Sequence, residues 1–423
     1  MKIKEVLTKQ LEFSKPSKEV FDKINKISKD FFYELKKKLK SKKIKAEVFI
    51  GGSLAKKTLV KKGAYDTDVF VRFDEKYSDE KLSLILGRVL GSGKGIKKVH
   101  GSRDYYQLFI DDVLIEVVPV LKISKPSEAI NVTDLSFFHV KYVLKKLRKN
   151  KKLTDEIILA KAFAHAQGVY GAESYIHGFS GYALELLIIY YGSFLKFIQE
   201  ISYANINKKN RIIIDSEKFY KNKNEVLMNL NEAKINSPFV LVDPTFKERN
   251  ASSSLSYETL DKFKKSCNEF LKNPSLKFFE KKDISLEFKK FLDKLKIVEV
   301  KTKYQAGDIA GTKSKKFYEF FLYKLKREFE IKKSGFDYDE DVNTAKFYLA
   351  LDKKKNEIVR GPPVTSVHNL LGFKKAHPNA FIKNGFAYAS LKHDLGFEKW
   401  FSVFLSNGKR IIGEMGIIEI KEI

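Results

Sequence analysis

Two aspartates one residue apart, Asp66 and Asp68, open an apolar run that ends at Phe73, and Gly51-Gly52-Ser53 closes the apolar run before it. Within an extended strand, side chains at i and i+2 project from one face, so Asp66 and Asp68 point together. A later segment, VLIEVVPV (113–120), carries Glu116 between Ile115 and Val117. As a neighbouring strand it sets a third carboxylate beside the pair. Three clustered carboxylates repel one another unless divalent cations lie between them, and hard cations prefer oxygen ligands. That is the equipment of two-metal phosphoryl transfer, in which one ion activates an attacking hydroxyl and the other neutralises a triphosphate and its leaving oxygen. An Asp-X-Asp also occurs in solvated turns; the glycine-serine turn ahead of it is what points to phosphates. Glycines between a strand and a helix let backbone amides approach an anion closely. Lys56, Lys57 and Thr58 follow on that helix and add charge. The stretch has neither a Gly-x-x-x-x-Gly-Lys-[Ser/Thr] loop nor a Gly-x-Gly-x-x-Gly, and GSGKG (91–95) reads as a flexible loop.

The elements that must position these groups are legible around them. Ser17 caps a helix whose apolar residues Val20, Phe21, Ile24, Ile27, Phe31, Leu35 and Leu39 recur at three- and four-residue steps, ending in a lysine-rich surface around Lys36 to Lys45. EVFI (47–50) and VFVRF (69–73) read as strands, 79–90 as a helix, and YYQLFI (105–110) with 113–120 as a strand pair turning at Asp111-Asp112. Together they describe a small mixed sheet backed by helices. From Leu135 to about Leu271 the pattern is mostly helical. Beyond it, LKFFEKK, KIVEVKTKY, FYEFFLYKLKREFEI and TAKFYLALD alternate strand and helix signals, KKDISLEFKKFLDKL reads as an amphipathic helix, and Gly361-Pro362-Pro363 reads as a connection.

At 423 residues the chain has room for two to four domains. Its 81 Lys+Arg against 53 Asp+Glu leave a formal charge of +28, which suits a polyanionic partner and predicts steep salt dependence. An AT-rich coding sequence enriches lysine as well. No window approaches a membrane span, and the N-terminus lacks a signal-peptide core, so a soluble cytoplasmic protein with no membrane partner is expected. Cys267 is the only cysteine, which excludes an internal disulfide and a thiolate zinc cluster. The histidines His139, His165, His177, His368, His377 and His393 show no metal-ligand spacing.

A glycine-serine turn, a helix, Asp-X-Asp on the next strand and a third acid on a later strand resemble the nucleotidyltransferase superfamily of DNA polymerase beta. The segments NVTDLSFFHVKYVLKKL (131–147), DEIILAKAFAHAQGVYGAESYIHGFSGYALELLIIYYGSF (155–194), VDPTFKERNASSSLS (242–256) and GPP…FKKAHPNAFIKNGFAY are similar to the archaeal-type, class I CCA-adding enzymes, the tRNA nucleotidyltransferases. YGAE, HGFSGY, DP…RN and KAHP in that order carry the resemblance over nearly the whole length. It implies an α+β multidomain fold: a polymerase beta-like head with a mixed sheet (1–138), a helical neck closing the nucleotide pocket (139–270), an α/β body (271–310 and 370–423), and a tRNA-binding tail (311–369). By the same resemblance Asp66, Asp68 and Glu116 are the ligands of two Mg²⁺ ions. Gly52, Ser53 and Lys56 form the phosphate turn, His139, Lys161 and Tyr170 hold the triphosphate or sugar, and Arg249 helps recognise the base. This chain departs from the familiar pattern in having Asp at the first acid, Glu at the third, and Lys56 in place of an arginine.

The implied reaction adds CCA to the 3′ end of immature or damaged tRNA from CTP and ATP, with release of pyrophosphate and no template. Phosphoryl transfer asks the protein mainly for positioning and charge, and no side-chain nucleophile is needed. Cytosine and adenine both present an exocyclic amine beside an unprotonated ring nitrogen. One pocket with an acceptor and a donor such as Arg249 accepts both and penalises uracil and guanine, whose polar groups would stay unpaired. An A-form acceptor stem and T arm are read by shape and phosphates; Lys313, Lys315, Lys374 and Lys375 are candidate contacts, with Lys301, Lys303 and Lys316 beside them. The expected partners also include a second copy of the chain as a homodimer. A poly(A) polymerase or oligoadenylate synthetase-like enzyme, a non-catalytic RNA-binding protein on a degenerate head, and a small-molecule nucleotidyltransferase are the alternative readings.

Overall fold

A computed structural model describes residues 2–61, 65–91, 93, 95–230, 232–303, 307–340 and 342–423. The GSGKG reading falls partly outside them, at Ser92 and Lys94. The chain divides into two compact units, Met1–Lys282 and Asp283–Ile423.

The first unit opens with α1 (Ile3–Ser14) and α2 (Lys18–Ser41). Ser17 Oγ accepts the Val20 amide at 3.3 Å and starts α2, whose buried Ile24, Leu35 and Leu39 follow helical spacing. A five-stranded sheet follows, from β1 (Ala46–Ile50), β2 (Tyr65–Phe73), β3 (Lys97–Val99), β4 (Tyr105–Ile110) and β5 (Val113–Leu121), in the order β1-β2-β5-β4-β3. α3 (Gly52–Lys56) joins β1 to the segment before β2, and α4 (Leu82–Leu90) lies within the crossover that the parallel β2–β5 pairing requires. Asp111 sits at φ +52° in the β4–β5 turn, a conformation Asp tolerates better than most residues. Alternation divides the sheet faces. Thr67, Val69, Val71 and Phe73 of β2 and Val113, Ile115 and Val117 of β5 are buried, while Asp66, Asp68, Leu114 and Glu116 lie on the other face, partly exposed. Ser28 of α2 donates to Thr67 Oγ1 at 3.2 Å, fixing the buried side of β2 against that helix.

Next come α5 (Ser136–Lys149), α6 (Lys152–Ala166), α7 (Gly181–Tyr191), α8 (Phe194–Tyr203), short helices α9 (Lys223–Asn229) and α10 (Glu232–Ile235), and α11 (Tyr257–Lys272). Their core is aromatic, with Phe163, Phe179, Phe194, Phe197, Phe263 and Phe270 fully buried among one another. Val6 of α1 belongs to this core rather than to that of the sheet. A three-stranded sheet, β6 (Ile212–Ile214), β7 (Phe239–Asp243) and β8 (Phe246–Asn250), interrupts the helices, so the mostly helical region carries a β element that its helical periodicity hid. Among the described residues no single helix is long and apolar enough to cross a membrane; α7 and α8 reach that composition only as a pair bent by 92°, and their apolar residues fill this core.

In the second unit β9 (Leu295–Thr302), α12 (Gly307–Leu325), β10 (Phe329–Asp339) and β11 (Thr344–Lys353) join α14 (Phe397–Glu414) and β15 (Ile417–Glu422), with sheet order β10-β11-β9-β15. Phe317, Phe321, Phe347, Trp400 and Phe401 make one core across these elements. Residues 311–353 therefore share a sheet and core with 397–422, while β12 (Glu357–Pro363), α13 (Val367–Ala376), β13 (Phe381–Lys383) and β14 (Phe386–Leu391) form a separate small sheet, β12-β14-β13.

Two local expectations are corrected. Ile284–Lys294 forms 3₁₀ turns with a kink at Phe291 (φ −126°), not a continuous amphipathic helix. Fully buried Phe288 stacks on Tyr348, ring centroids 5.6 Å apart, and docking that ring overrides the helical periodicity. Gly361-Pro362-Pro363 ends edge strand β12 instead of forming a separate connection, with the register shifting between Arg360 and Pro363. Prolines without N–H groups are tolerated at an edge, where no ladder bond is lost.

Candidate active site

The parallel register pairs Asp68 with Glu116 and Asp66 with Leu114, so the three acids lie on one face of adjacent strands. Antiparallel β4 extends the row: Gln107 stands opposite Glu116 and donates Nε2–H to its Oε1 at 2.7 Å. Among the described residues, no three His, Cys, Asp or Glu side chains are gathered tightly enough to hold a metal ion as they stand. The donor set itself, three carboxylates abreast, is the all-oxygen chemistry that suits a hard divalent cation.

The glycine-serine turn closes on this row. Gly51 N–H donates to the Asp68 carbonyl at 2.9 Å. Gly52 has φ +58°, and a Cβ there would fall 1.6 Å from Asp68 Oδ2. Only glycine permits both the backbone angle and that approach. Ser53 follows in α3, and Lys56 ends it.

Lys56 and Lys161 do not stand open to solvent. Lys56 Nζ meets Glu185 Oε2 at 2.6 Å, and Lys161 Nζ meets Glu185 Oε1 at 2.8 Å and Thr58 Oγ1 at 3.0 Å. Glu185 is wholly buried on α7, and both lysines are buried too. Burial alone would raise the Glu185 carboxyl, but the two ammonium groups outweigh it and hold it below its ordinary value.

A second cluster gathers around Asp243, at the end of β7. Its Oδ2 accepts from His139 Nε2–H at 2.9 Å and Arg249 Nη1 at 2.7 Å, and its Oδ1 from Tyr182 OH at 3.0 Å and from the Thr245 amide and hydroxyl at 2.8 Å each. Burial opposes ionisation of Asp243, yet the hydrogen bond from His139, the Arg249 charge and the Thr245 amide hold its carboxyl well below the usual range. Burial pushes the His139 imidazole down; its bond to Asp243 opposes this, and the Arg249 and Lys56 cations add to it. His139 stacks on Tyr182 at 4.0 Å, and burial beside Asp243 pushes the Tyr182 phenol up. Tyr170 stacks on His165 at 3.8 Å, with its hydroxyl against Gly181 at the start of α7.

The fold thus sets the three acids on one face of adjacent strands, with Asp68 against Gly52, and brings together Lys56 with Lys161, and His139 with Arg249. Four partners escaped the sequence reading, and each left a signal. Glu185 is the lone charge in the apolar run ALELLIIYY (183–191), Asp243 and Tyr182 sit inside DP…RN and HGFSGY, and Gln107 is opposite Glu116 by counting back across the Asp111-Asp112 turn. In the second unit Lys374 and Lys375 are exposed on α13. Lys313 and Lys315 lie on α12, Lys313 passing beside Gly416 and Lys315 covering the Tyr318 and Phe336 rings at 5.1 and 5.3 Å.

Comparison with known proteins decides the family. Residues 155–280 match the model of the second domain of tRNA nucleotidyltransferases. The CCA-adding enzyme of Methanocaldococcus jannaschii is 30% identical over 409 residues, 92% of this chain and 88% of that enzyme. The chain belongs to the CCA-adding enzyme family. The enzyme of Nanoarchaeum equitans is 41% identical over 213 residues, an alignment spanning 50% of this chain and 52% of that relative. The enzyme of Archaeoglobus fulgidus is 29% identical over 408 residues. Among solved structures, the Cid1 poly(U) polymerase shares the fold at 14% identity and a TM-score of 0.51, covering 66% of this chain and 98% of that one. Membership makes this chain a nucleotidyltransferase in the class of enzymes that process tRNA, and its α+β fold is the one it shares with Cid1.

Proposed function

We propose that this protein adds C, C and A to the 3′ end of tRNA, drawing on CTP and ATP and releasing pyrophosphate. The observation that carries the reading is the near full-length alignment with the Methanocaldococcus jannaschii enzyme. Asp66, Asp68 and Glu116 would hold two Mg²⁺ ions, which when bound supply Lewis-acid activation of the 3′-hydroxyl and neutralise charge on the triphosphate. The chain's own residues do the rest by placement. Gly52 makes room for the Asp68 carboxylate against the turn, and Ser53 adds a hydroxyl there for a phosphate. Lys56 and Lys161 bring positive charge, and Tyr170 sits at the Gly181 end of α7 for the sugar.

Arg249 reads the base in this proposal. Asp243 pairs with its charge and fixes one N–H, leaving other guanidinium donors for the unprotonated ring nitrogen that cytosine and adenine share. The tRNA acceptor stem and T arm lie against phosphate contacts from Lys313, Lys315, Lys374 and Lys375. Residues 357–391, the small separate sheet with α13, are the segment we assign as the tail, and 283–353 with 397–422 as the body.

The test incubates the protein with Mg²⁺, single nucleotides, and tRNA transcripts ending at the discriminator base, in C, or in CC. Two additions from CTP, one from ATP on the CC end only, and none by Asp68→Ala are the expected results. Long A tails move the reading to a poly(A) polymerase, and tRNA binding without extension moves it to an RNA-binding protein. Running the assay across protein concentrations tests whether a second copy of the chain is needed.

A further inference from the structure

The buried carboxylate of Glu185 lies outside the direct roles given above, yet it joins two of their lysines. Lys56 reaches it from α3, beside the strand bearing Asp68, and Lys161 reaches it from α6, with Thr58 taking a second Lys161 hydrogen. Glu185 is 0% exposed, Lys161 4% and Lys56 8%. Two ammonium groups this close would repel strongly in a medium of low dielectric, and each would bear a desolvation cost. One carboxylate between them removes the repulsion and leaves the trio with one net positive charge.

The hydrogen count points the same way. An ammonium has three N–H donors. Among the described residues Lys56 spends one, on Glu185, and Lys161 spends two, on Glu185 and Thr58. Unspent donors and one uncancelled charge remain, a few residues along the chain from the Gly52–Ser53 turn. Lys56 also depresses the His139 imidazole, so its field reaches the Asp243 cluster.

We propose that Glu185 is a positioning residue for a polyphosphate anion, clamping Lys56 and Lys161 together so that their remaining donors and net charge face the triphosphate of the incoming nucleotide. This deepens the nucleotidyltransferase reading and rests on it for the identity of the anion. A purely structural ion pair would stabilise the protein without any linkage to phosphate. A clamp of this kind makes a different prediction, because in its absence a bound polyanion can take over the neutralising role.

The experiment uses the full chain, with Glu185→Gln and Glu185→Ala, and measures thermal midpoints with and without inorganic pyrophosphate at constant ionic strength, together with CTP kinetics. Both variants are expected to melt lower, on the order of 10 °C for Ala, because two buried ammonium groups lose their partner. Pyrophosphate is expected to raise their midpoints at least twice as far as it raises the wild type's. The kcat for CTP addition by Glu185→Gln is expected to fall about 10²-fold, since the ammonium groups lose their fixed direction. If Ala does not fold, the isosteric Gln carries the same comparison. Equal pyrophosphate shifts in all three proteins, or wild-type shifts retained by Lys56→Ala and Lys161→Ala, would overturn the proposal. Pyrophosphate linkage in a protein that adds no CCA would leave the clamp standing and overturn only the activity above.

Discussion

Replacing Asp243 with Asn tests whether one buried carboxylate organises the base-reading arginine. The change is isosteric, so it alters charge and hydrogen bonding without opening a cavity. Oδ2 accepts from His139 and Arg249, and Oδ1 accepts from Tyr182 and twice from Thr245. An amide NH₂ placed at either end therefore faces donors. The variant loses one charge-assisted bond to Arg249, about 1.5–3 kcal/mol, and leaves at least one buried donor without an acceptor, about 1–3 kcal/mol. Since the Arg249 side chain is 25% exposed and water can replace part of its pairing, the lower half of that sum applies, about 3 kcal/mol. For a unit of this size that is a fall in thermal midpoint of roughly 6–12 °C. Freed from Asp243, the guanidinium also loses its direction, and kcat/KM for CTP and ATP is expected to fall about tenfold or more while UTP and GTP change little, narrowing selectivity. Differential scanning calorimetry and single-nucleotide extension with all four triphosphates read both effects. A midpoint within 2 °C of wild type, about 0.5–1 kcal/mol, or an unchanged C-and-A preference would refute the reasoning.

Gly52→Ala drives a methyl into Asp68 Oδ2 and adds an L side chain at φ +58°, so extension is expected to drop at least 10²-fold with only a modest change in melting; near-normal rates would show that Asp68 need not hold its place. Gln107→Ala removes the hydrogen bond that orients Glu116 Oε1, and Mn²⁺ binding followed by electron paramagnetic resonance should weaken about tenfold. Adding Glu116→Asp should abolish that effect, because the shorter side chain no longer reaches Gln107, whereas strict additivity would deny the coupling. Lys374→Ser with Lys375→Ser should raise the KM for tRNA and lower the salt dependence of binding by up to about two phosphate contacts, leaving kcat intact; an unchanged slope would remove both lysines from the interface. Stability should also fall in two acid windows. His139 titrates lower in the fold than when unfolded, so the unfolded chain binds more protons and stability drops as pH falls below about 6.5. Asp243 is likewise depressed, and its contribution is present above the ordinary carboxylate value and lost below it as pH falls toward its folded value. His139→Asn should abolish the first window and shrink the second, because His139 is one of the groups that hold the Asp243 carboxyl down, as seen in melting curves across pH.

Local chemistry was readable along the chain because it is written at short range. Strand alternation put Asp66 and Asp68 on one face, and the Asp111-Asp112 turn joined the two strands that set Glu116 beside them, while the glycines marked a close approach that the fold makes to Asp68. The order of motifs from YGAE to KAHP pointed to the family. What the sequence left open were pairings between residues distant along it. Glu185 reads as one acid in an apolar helix, and only folding brings it to Lys56, 129 residues earlier, and to Lys161. Asp243 lies 104 residues from His139. The same limit hid the shared core of 311–353 and 397–422, where Phe317, Phe321 and Trp400 meet. It also hid the kink at Phe291, since burying Phe288 against Tyr348 gains more than continuing a helix. Periodicity determined which residues were inside. Which buried charge met which was decided by tertiary structure, because a charge withdrawn from water must find its partner wherever the fold supplies one.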